Sequence, residues 1–153
     1  MKVGIIGSGG REHALCLSLK NSKEISQIYC IPGNAGTGLI AKNIKIEQDN
    51  FPKIKEFIEK TKIDLVVIGP EKPLVDGIVD YLENYKIKVF GPNKIASQLE
   101  GSKIFTKNLC KKYNIPTADF GIYENSNDAI NFLDNCNLPI VIKADGLAAG
   151  KGV

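Results

Sequence analysis

The sequence has little of what several common chemistries require. It holds one histidine, His13, and four cysteines, Cys16, Cys30, Cys110 and Cys136, which lie far apart with no C-x-x-C pair. Zinc sites and Cys-His nucleophilic catalysis therefore lack their parts. Each cysteine is read as a buried, reduced thiol. The net charge of +3 is spread along the chain, and no block of basic residues stands with interleaved aromatics, so nucleic acid is not indicated as a partner. No apolar run approaches a membrane span, and the opening M-K-V-G-I-I-G-S-G-G has too short an apolar run for a signal peptide. A cytoplasmic protein with no membrane partner is expected. No repeat or low-complexity linker is visible.

The 153 residues, 43% of them apolar, fit one compact domain, or one domain and part of another. Lys2 to Ile6 reads as an apolar strand, with Gly7-Ser8-Gly9-Gly10-Arg11-Glu12 at its end and a helix from His13 to Leu19 after it. A β-α-β unit begins this way, and its first turn presents helix N-terminal amides to an anion. The dinucleotide fingerprint G-x-G-x-x-G needs glycine where Glu12 stands. It also needs an acid at the end of the second strand, Ile25 to Ile31, which ends instead in Pro32-Gly33-Asn34. Both departures disfavour a nicotinamide cofactor.

Alternation continues along the chain. Ile44 to Ile46 reads as a short strand, Phe51 to Lys60 as a helix, Asp64 to Ile68 as a strand ending in the turn Gly69-Pro70-Glu71-Lys72-Pro73, Leu74 to Tyr85 as a helix, and Lys88 to Phe90 as a strand closing with Gly91-Pro92-Asn93. This order predicts an α/β fold: a Rossmann-like parallel sheet with helices on both faces. The turns at Gly7, Gly33, Gly69 and Gly91 would then share the carboxyl edge, where open α/β sheets bind ligands, and one crevice would hold Arg11, Asn34, Thr37 and Glu71. Asp76, one turn into its helix, is read as a first-turn charge in preference to a site residue. A domain boundary is expected near residue 100. Ile95 to Glu100 reads as a short helix, Ser102 as the N-cap of a helix from Lys103 to Tyr113, Ala118 to Tyr123 as extended, and Asp128 to Asn135 as an amphipathic helix whose Ala129, Ile130, Phe132, Leu133 and Cys136 form a core face.

The last stretch, I-V-I-K-A-D-G-L-A-A-G-K-G-V from Ile140 to Val153, follows a short apolar run, Leu138 to Ile142, that reads as a buried strand. Gly146, Gly150 and Gly152 leave bare backbone amides, and Lys143 and Lys151 add charge, the composition of a phosphate cover; a flexible hairpin turn is the alternative. A Walker loop is disfavoured, since three residues, not four, separate Gly146 from Gly150 and Gly152 follows Lys151.

Taken together, G-S-G-G-R-E-H-A-L, P-G-N-A-G-T, V-I-G-P-E-x-P-L-V-D-G, F-G-P, Q-L-E-G-S-K-x-F-T-K and V-I-K-A-D-G-L-A-A-G-K-G-V resemble the phosphoribosylamine-glycine ligase (glycinamide ribonucleotide synthetase) family of ATP-grasp enzymes. The resemblance implies purine biosynthesis: ATP, glycine and 5-phosphoribosylamine give glycinamide ribonucleotide, ADP and phosphate through a glycyl phosphate. It implies a substrate-binding α/β domain over residues 1–100 and the beginning of an ATP-grasp α+β domain over 101–153. Lys103 and Lys143 match the paired lysines that contact nucleotide phosphates, and Gly146, Leu147, Ala148, Ala149, Gly150, Lys151, Gly152 and Val153 match the glycine-rich lid. Gly9, Gly10 and Arg11 would meet the phosphoribosyl substrate and Glu71 its ribose hydroxyls, with Asn34 and Thr37 beside them. Glu12 and His13 are given no role beyond the helix start.

The family takes its Mg²⁺ (or Mn²⁺) ligands, and most of its adenine pocket, from a later part of the domain, so no metal ligand is expected in these residues. The stretch is expected to be roughly the amino-terminal third of a longer protein, a monomer or weak homodimer, and inactive alone. Two other readings stay open: another ATP-grasp enzyme, such as an aminoimidazole ribonucleotide carboxylase or a biotin carboxylase, and a nucleotide-binding module without chemistry.

Overall fold

The computed structural model describes residues 1–148. The chain divides into two units, Met1–Ser97 and Gln98–Val153. In the first, five parallel strands stand in the order β3-β2-β1-β4-β5: β1 Lys2–Gly7, β2 Gln27–Pro32, β3 Lys42–Asn43, β4 Leu65–Ile68 and β5 Val89–Phe90. The first strand suits the central place because it is apolar from Val3 onward, and residues Val3 to Gly7 are all buried.

Side chains alternate across the sheet and feed two cores. Val3, Ile5, Ile28 and Cys30 meet Cys16 of α1 (Gly10–Lys20) on one face. Ile6, Ile31, Val66 and Ile68 meet Ile54 and Ile58 of α2 (Phe51–Thr61) and Ile78, Val79 and Leu82 of α4 (Ile78–Glu83) on the other. Each of these fully buried isoleucines contributes about 1.5–3 kcal/mol relative to exposure. Local signals start and stop the helices: Asn50 Oδ1 accepts the Lys53 N–H at 3.2 Å, with Pro52 in the first turn of α2, and left-handed Lys62 ends it.

Several expected boundaries move. The strand expected at Ile44 to Ile46 forms at Lys42–Asn43, because a side-chain knot on Asn43 fixes the pairing there; only the Ile44 N–H extends the ladder, to the Cys30 carbonyl at 2.8 Å. The expected turn at Glu71 to Pro73 is already helix: α3 spans Glu71–Asp76, its Pro73 within the first turn, where a missing N–H is harmless. Gly77, at φ +98°, then interrupts the helix expected from Leu74 to Tyr85, giving α3 and α4. Asp76 therefore closes a helix and pairs with Lys72 at 2.6 Å; it is not a first-turn charge.

Helix α5 covers Lys94–Gly101. In the second unit, α6 covers Lys103–Lys112 and α7 Ser126–Leu133. The core face expected on α7 is not covered by the described residues: none of the helix is buried, and Ile130 is 53% exposed. The apolar run Leu138 to Ile142 is likewise not a buried strand, with Val141 64% and Ile142 67% exposed. A strand needs a neighbour for its backbone groups, and no described strand pairs with this one. Of the cysteines expected to be buried, Cys16 and Cys30 are, while Cys110 and Cys136 are half-buried; all are free thiols.

Candidate functional site

The glycine turns of the first unit do meet at one edge. Gly7 lies level with Pro32 and Ile6 with Ile68, the Gly33 N–H donates to the Gly7 carbonyl at 3.1 Å, and the Gly69 N–H donates to the Ile6 carbonyl at 3.0 Å. Arg11, in the first turn of α1, reaches across to the turn after β4. Its Nη2 lies 2.8 Å from Glu71 Oε1, and its Nη1 donates to the Gly69 carbonyl. The Arg11 hydrogen bond, seconded by Glu71's own backbone N–H, holds the Glu71 carboxyl below its ordinary range.

On the other side of the first turn, Asn34 Nδ2 donates to the Ser8 carbonyl at 2.9 Å and the Gly9 carbonyl at 3.2 Å. Beneath it Thr37 is fully buried. Its Oγ1 accepts the Asn34 N–H at 2.7 Å and lies 2.8 Å from Asn43 Oδ1 and 2.9 Å from the Asn34 carbonyl, while the Thr37 N–H donates to Asn34 Oδ1 at 2.9 Å. Thr37 thus spends its hydroxyl inside the loop, and Asn34, half-buried, is the member of the pair that borders the edge. Of the four residues expected in one crevice, Arg11 and Glu71 pair directly, Asn34 braces the turn before Arg11, and Thr37 supports Asn34 from below.

Glu12 is the residue that spacing undervalued. Only 3% exposed, it accepts the Gly9 N–H on Oε2 at 2.5 Å, one half of a capping box. Its carboxyl fills the space over two glycines: a Cβ on Gly7 would lie 2.7 Å from Glu12 Cδ, and one on Gly69 only 1.9 Å from Oε1. Gly7, at φ +127°, also holds a backbone conformation that side chains resist. This arrangement explains physically why the third fingerprint glycine is missing. Glu12 holds that position, and its buried carboxyl fills the space between α1 and the turns at Gly7 and Gly69 that a third glycine would leave empty. It also takes the Gly9 amide, leaving exposed Gly10, at the first position of α1, as the open amide of the expected pair.

The second unit brings the two lysine segments together. Ser102 caps α6, accepting the Phe105 N–H at 3.0 Å, and its hydroxyl lies 3.0 Å from Asp145 Oδ2. Asp145 Oδ1 accepts the Ile104 N–H at 3.2 Å, and Lys103 Nζ donates to the Gly146 carbonyl at 2.9 Å. Lys143, two residues before Asp145, is exposed. Of the expected lid, Gly146, Leu147 and Ala148 are described; Ala149, Gly150, Lys151, Gly152 and Val153 lie outside the described residues. Among the described residues no group of three or more His, Cys, Asp or Glu side chains is gathered to hold a metal ion, and no helix is long and apolar enough to cross a membrane.

Fold and site define an α/β protein whose Arg11, Asn34 and Glu71 border one sheet edge, followed by a unit in which Lys103 reaches the Gly146 carbonyl. Comparison with known proteins makes this specific. Residues 1–100 match the N domain of phosphoribosylglycinamide synthetase, and residues 101–153 match its ATP-grasp (A) domain. The chain belongs to the phosphoribosylglycinamide synthetase family. It is similar to the phosphoribosylamine-glycine ligase of Clostridium acetobutylicum, 53% identical over 156 residues, spanning 100% of this chain and 37% of that protein. That of Caldanaerobacter subterraneus subsp. tengcongensis is 49% identical over 153 residues, again 100% and 37%. The crystal structure of phosphoribosylamine-glycine ligase from Thermotoga maritima superposes with a TM-score of 0.77 at 36% identity, covering 99% of this chain and 35% of that one. The chain thus spans 37% of the length of these curated relatives.

Proposed function

We propose that this chain works as part of a cytoplasmic ligase that joins glycine to 5-phosphoribosylamine, with ATP converted to ADP and phosphate. Residues 1–100 hold the phosphoribosylamine and residues 101–153 begin the ATP-grasp domain. The observation that carries the reading is the meeting of Lys103 with the Lys143 to Gly146 segment, 43 residues apart in sequence at the Lys103–Gly146 contact. A carboxylate and a triphosphate repel one another, and cations beside bare backbone amides are what bring them together.

In the first unit the Gly10 amide and the Arg11 guanidinium suit the phosphate of phosphoribosylamine. Glu71, anchored through Oε1, offers its other oxygen to ribose hydroxyls, and Asn34 holds the two turns in register. In the second, Lys103 and Lys143 offset charge on the phosphates as a glycine carboxylate oxygen attacks the terminal phosphorus and ADP leaves. The amine of phosphoribosylamine then attacks the glycyl carbonyl, phosphate departs with that carboxylate oxygen, and the amine loses a proton. Excluding water protects the acyl phosphate, a task suited to the glycine-rich segment Gly146 to Val153. The divalent cation of such ligases, Mg²⁺ or Mn²⁺, would supply further charge neutralisation; the described residues gather no ligand set that fits it.

The test is ADP release by the full-length protein with ATP and Mg²⁺, omitting glycine or phosphoribosylamine in turn. ADP formed only with both present supports the ligase. ADP formed with bicarbonate in place of glycine supports a carboxylase, and no ADP under any condition removes the enzyme reading.

A further inference from the structure

Asp145 drew no role from its spacing, yet its carboxylate is the junction of the second unit. It accepts from Ser102 Oγ at 3.0 Å and from the Ile104 N–H at 3.2 Å, with the Gly146 and Lys103 N–H groups also turned toward it. Desolvation pushes its carboxyl up, but these donors together outweigh it and the group titrates below its ordinary 3.8. The bonds run both ways from one turn of chain: the side chain of Asp145 holds α6, and the carbonyl of the next residue, Gly146, holds Lys103 Nζ at 2.9 Å. Gly146 itself, at φ +91°, turns the chain so that both can happen.

An extended lysine loses much rotamer freedom when it is fixed, and two lysines serving one site repel each other. By fixing the chain at Gly146, whose carbonyl holds Lys103 Nζ, the Asp145 side chain offsets the first of these costs. Resting on the ligase reading above, we propose that Asp145 is a positioning residue: it ties the root of the glycine-rich segment, two residues after Lys143, to the N-terminus of α6, and so holds Lys103 ready for the nucleotide phosphates. Asp145 does not touch substrate in this role. It acts through Lys103.

A carboxylate that merely capped α6 would affect stability and leave nucleotide affinity alone, so affinity is the deciding readout. The full-length protein carries Asp145→Ala or Asp145→Asn, and ATP binding is measured by equilibrium dialysis without glycine, beside steady-state kinetics and melting temperature. Asp145→Ala is expected to raise the Kd and KM for ATP at least tenfold with the KM for phosphoribosylamine within twofold. Asp145→Asn, which keeps an acceptor for the Ile104 N–H and loses the charge, is expected to raise the ATP Kd about threefold, and it serves alone if the alanine variant fails to fold. Wild-type ATP affinity in either folded variant overturns the proposal, whatever the melting temperature does. If the wild-type protein binds ATP but gives no glycine-dependent ADP, the ligase reading falls, and with it the part of the proposal that rests on it, while the affinities still decide whether Asp145 positions Lys103.

Discussion

Arg11 Nη2 stands 2.8 Å from Glu71 Oε1 and ties the first turn of α1 to the first turn of α3. Both side chains are exposed enough that the pair adds only about 0–1 kcal/mol to stability. Its effect is on position, not on folding. Glu71→Gln is therefore expected to leave the melting temperature within about 4 °C of wild type while raising the KM for phosphoribosylamine roughly tenfold. The Arg11 bond lowers the Glu71 pKa, so the pairing is fully present above the ordinary value of 4.5 and is lost as pH falls through the lower folded value. A KM for phosphoribosylamine that is the same in Glu71→Gln and wild type would remove Glu71 from the site.

Gly69 faces the buried carboxyl of Glu12 so closely that no side chain fits. A Cβ there would lie 1.9 Å from Oε1. Gly69→Ala must push the carboxylate off the Gly9 N–H, a loss of about 1–3 kcal/mol that denaturant titration reads directly. The same substitution made in a Glu12→Ala background is expected to cost less than about 1 kcal/mol, because the clash is gone. Equal costs in both backgrounds would show that Glu12 does not fill this space.

Cys16 and Cys30 face each other across the α1–β2 contact, Sγ to Sγ 3.2 Å, and both are fully buried. Burial, followed by the Cys16 contact, pushes the Cys30 thiol from its ordinary 9.0 up to about 12, and burial likewise raises Cys16. A raised folded pKa means that unfolded chains lose the proton first. The stabilising contribution is complete below about pH 9 and is lost as pH rises toward 12. Iodoacetamide at pH 8 is expected to label half-buried Cys110 and Cys136 in the native protein and to reach Cys16 and Cys30 only after denaturation. Native labelling of Cys30 at the same rate as Cys110 would contradict the burial described.

Most of the first unit was legible because its strands are short apolar runs that end in glycine turns, and parallel order followed from alternation with helices. The break at Gly77 was missed because apolar periodicity runs through it from Leu74 to Leu82 and hides one left-handed residue. The pairing of β3 was misplaced because the Asn34, Thr37 and Asn43 bonds set it, and side-chain knots leave no periodic trace. Arg11 and Glu71 could be placed at one edge from turn positions alone. Glu12 carried a readable signal, a glutamate three residues after the helix cap at Gly9, but not the burial that makes it a filler of the edge. Asp145 carried none, since its partners at the start of α6 lie more than 40 residues away. The apolar run at Leu138 to Ile142 carries the pattern of a buried strand, yet it is exposed because the described residues supply nothing to cover it.

Lys143 is exposed at the head of the segment that Asp145 anchors. Lys143→Met in the full-length protein is expected to lower turnover at least tenfold, about 1.4 kcal/mol of transition-state stabilisation, with an unchanged circular dichroism spectrum. Wild-type turnover would exclude Lys143 from the phosphate site.

The chemistry itself is open to one direct measurement. Glycine labelled with ¹⁸O in its carboxylate is supplied to the full-length protein with ATP and phosphoribosylamine, and the inorganic phosphate released is examined by mass spectrometry. A glycyl phosphate passes one carboxylate oxygen to the departing phosphate, so one ¹⁸O per phosphate is expected. Phosphate without label, formed alongside ADP, would mean that water and not glycine took the phosphoryl group, and the ligase account would be wrong.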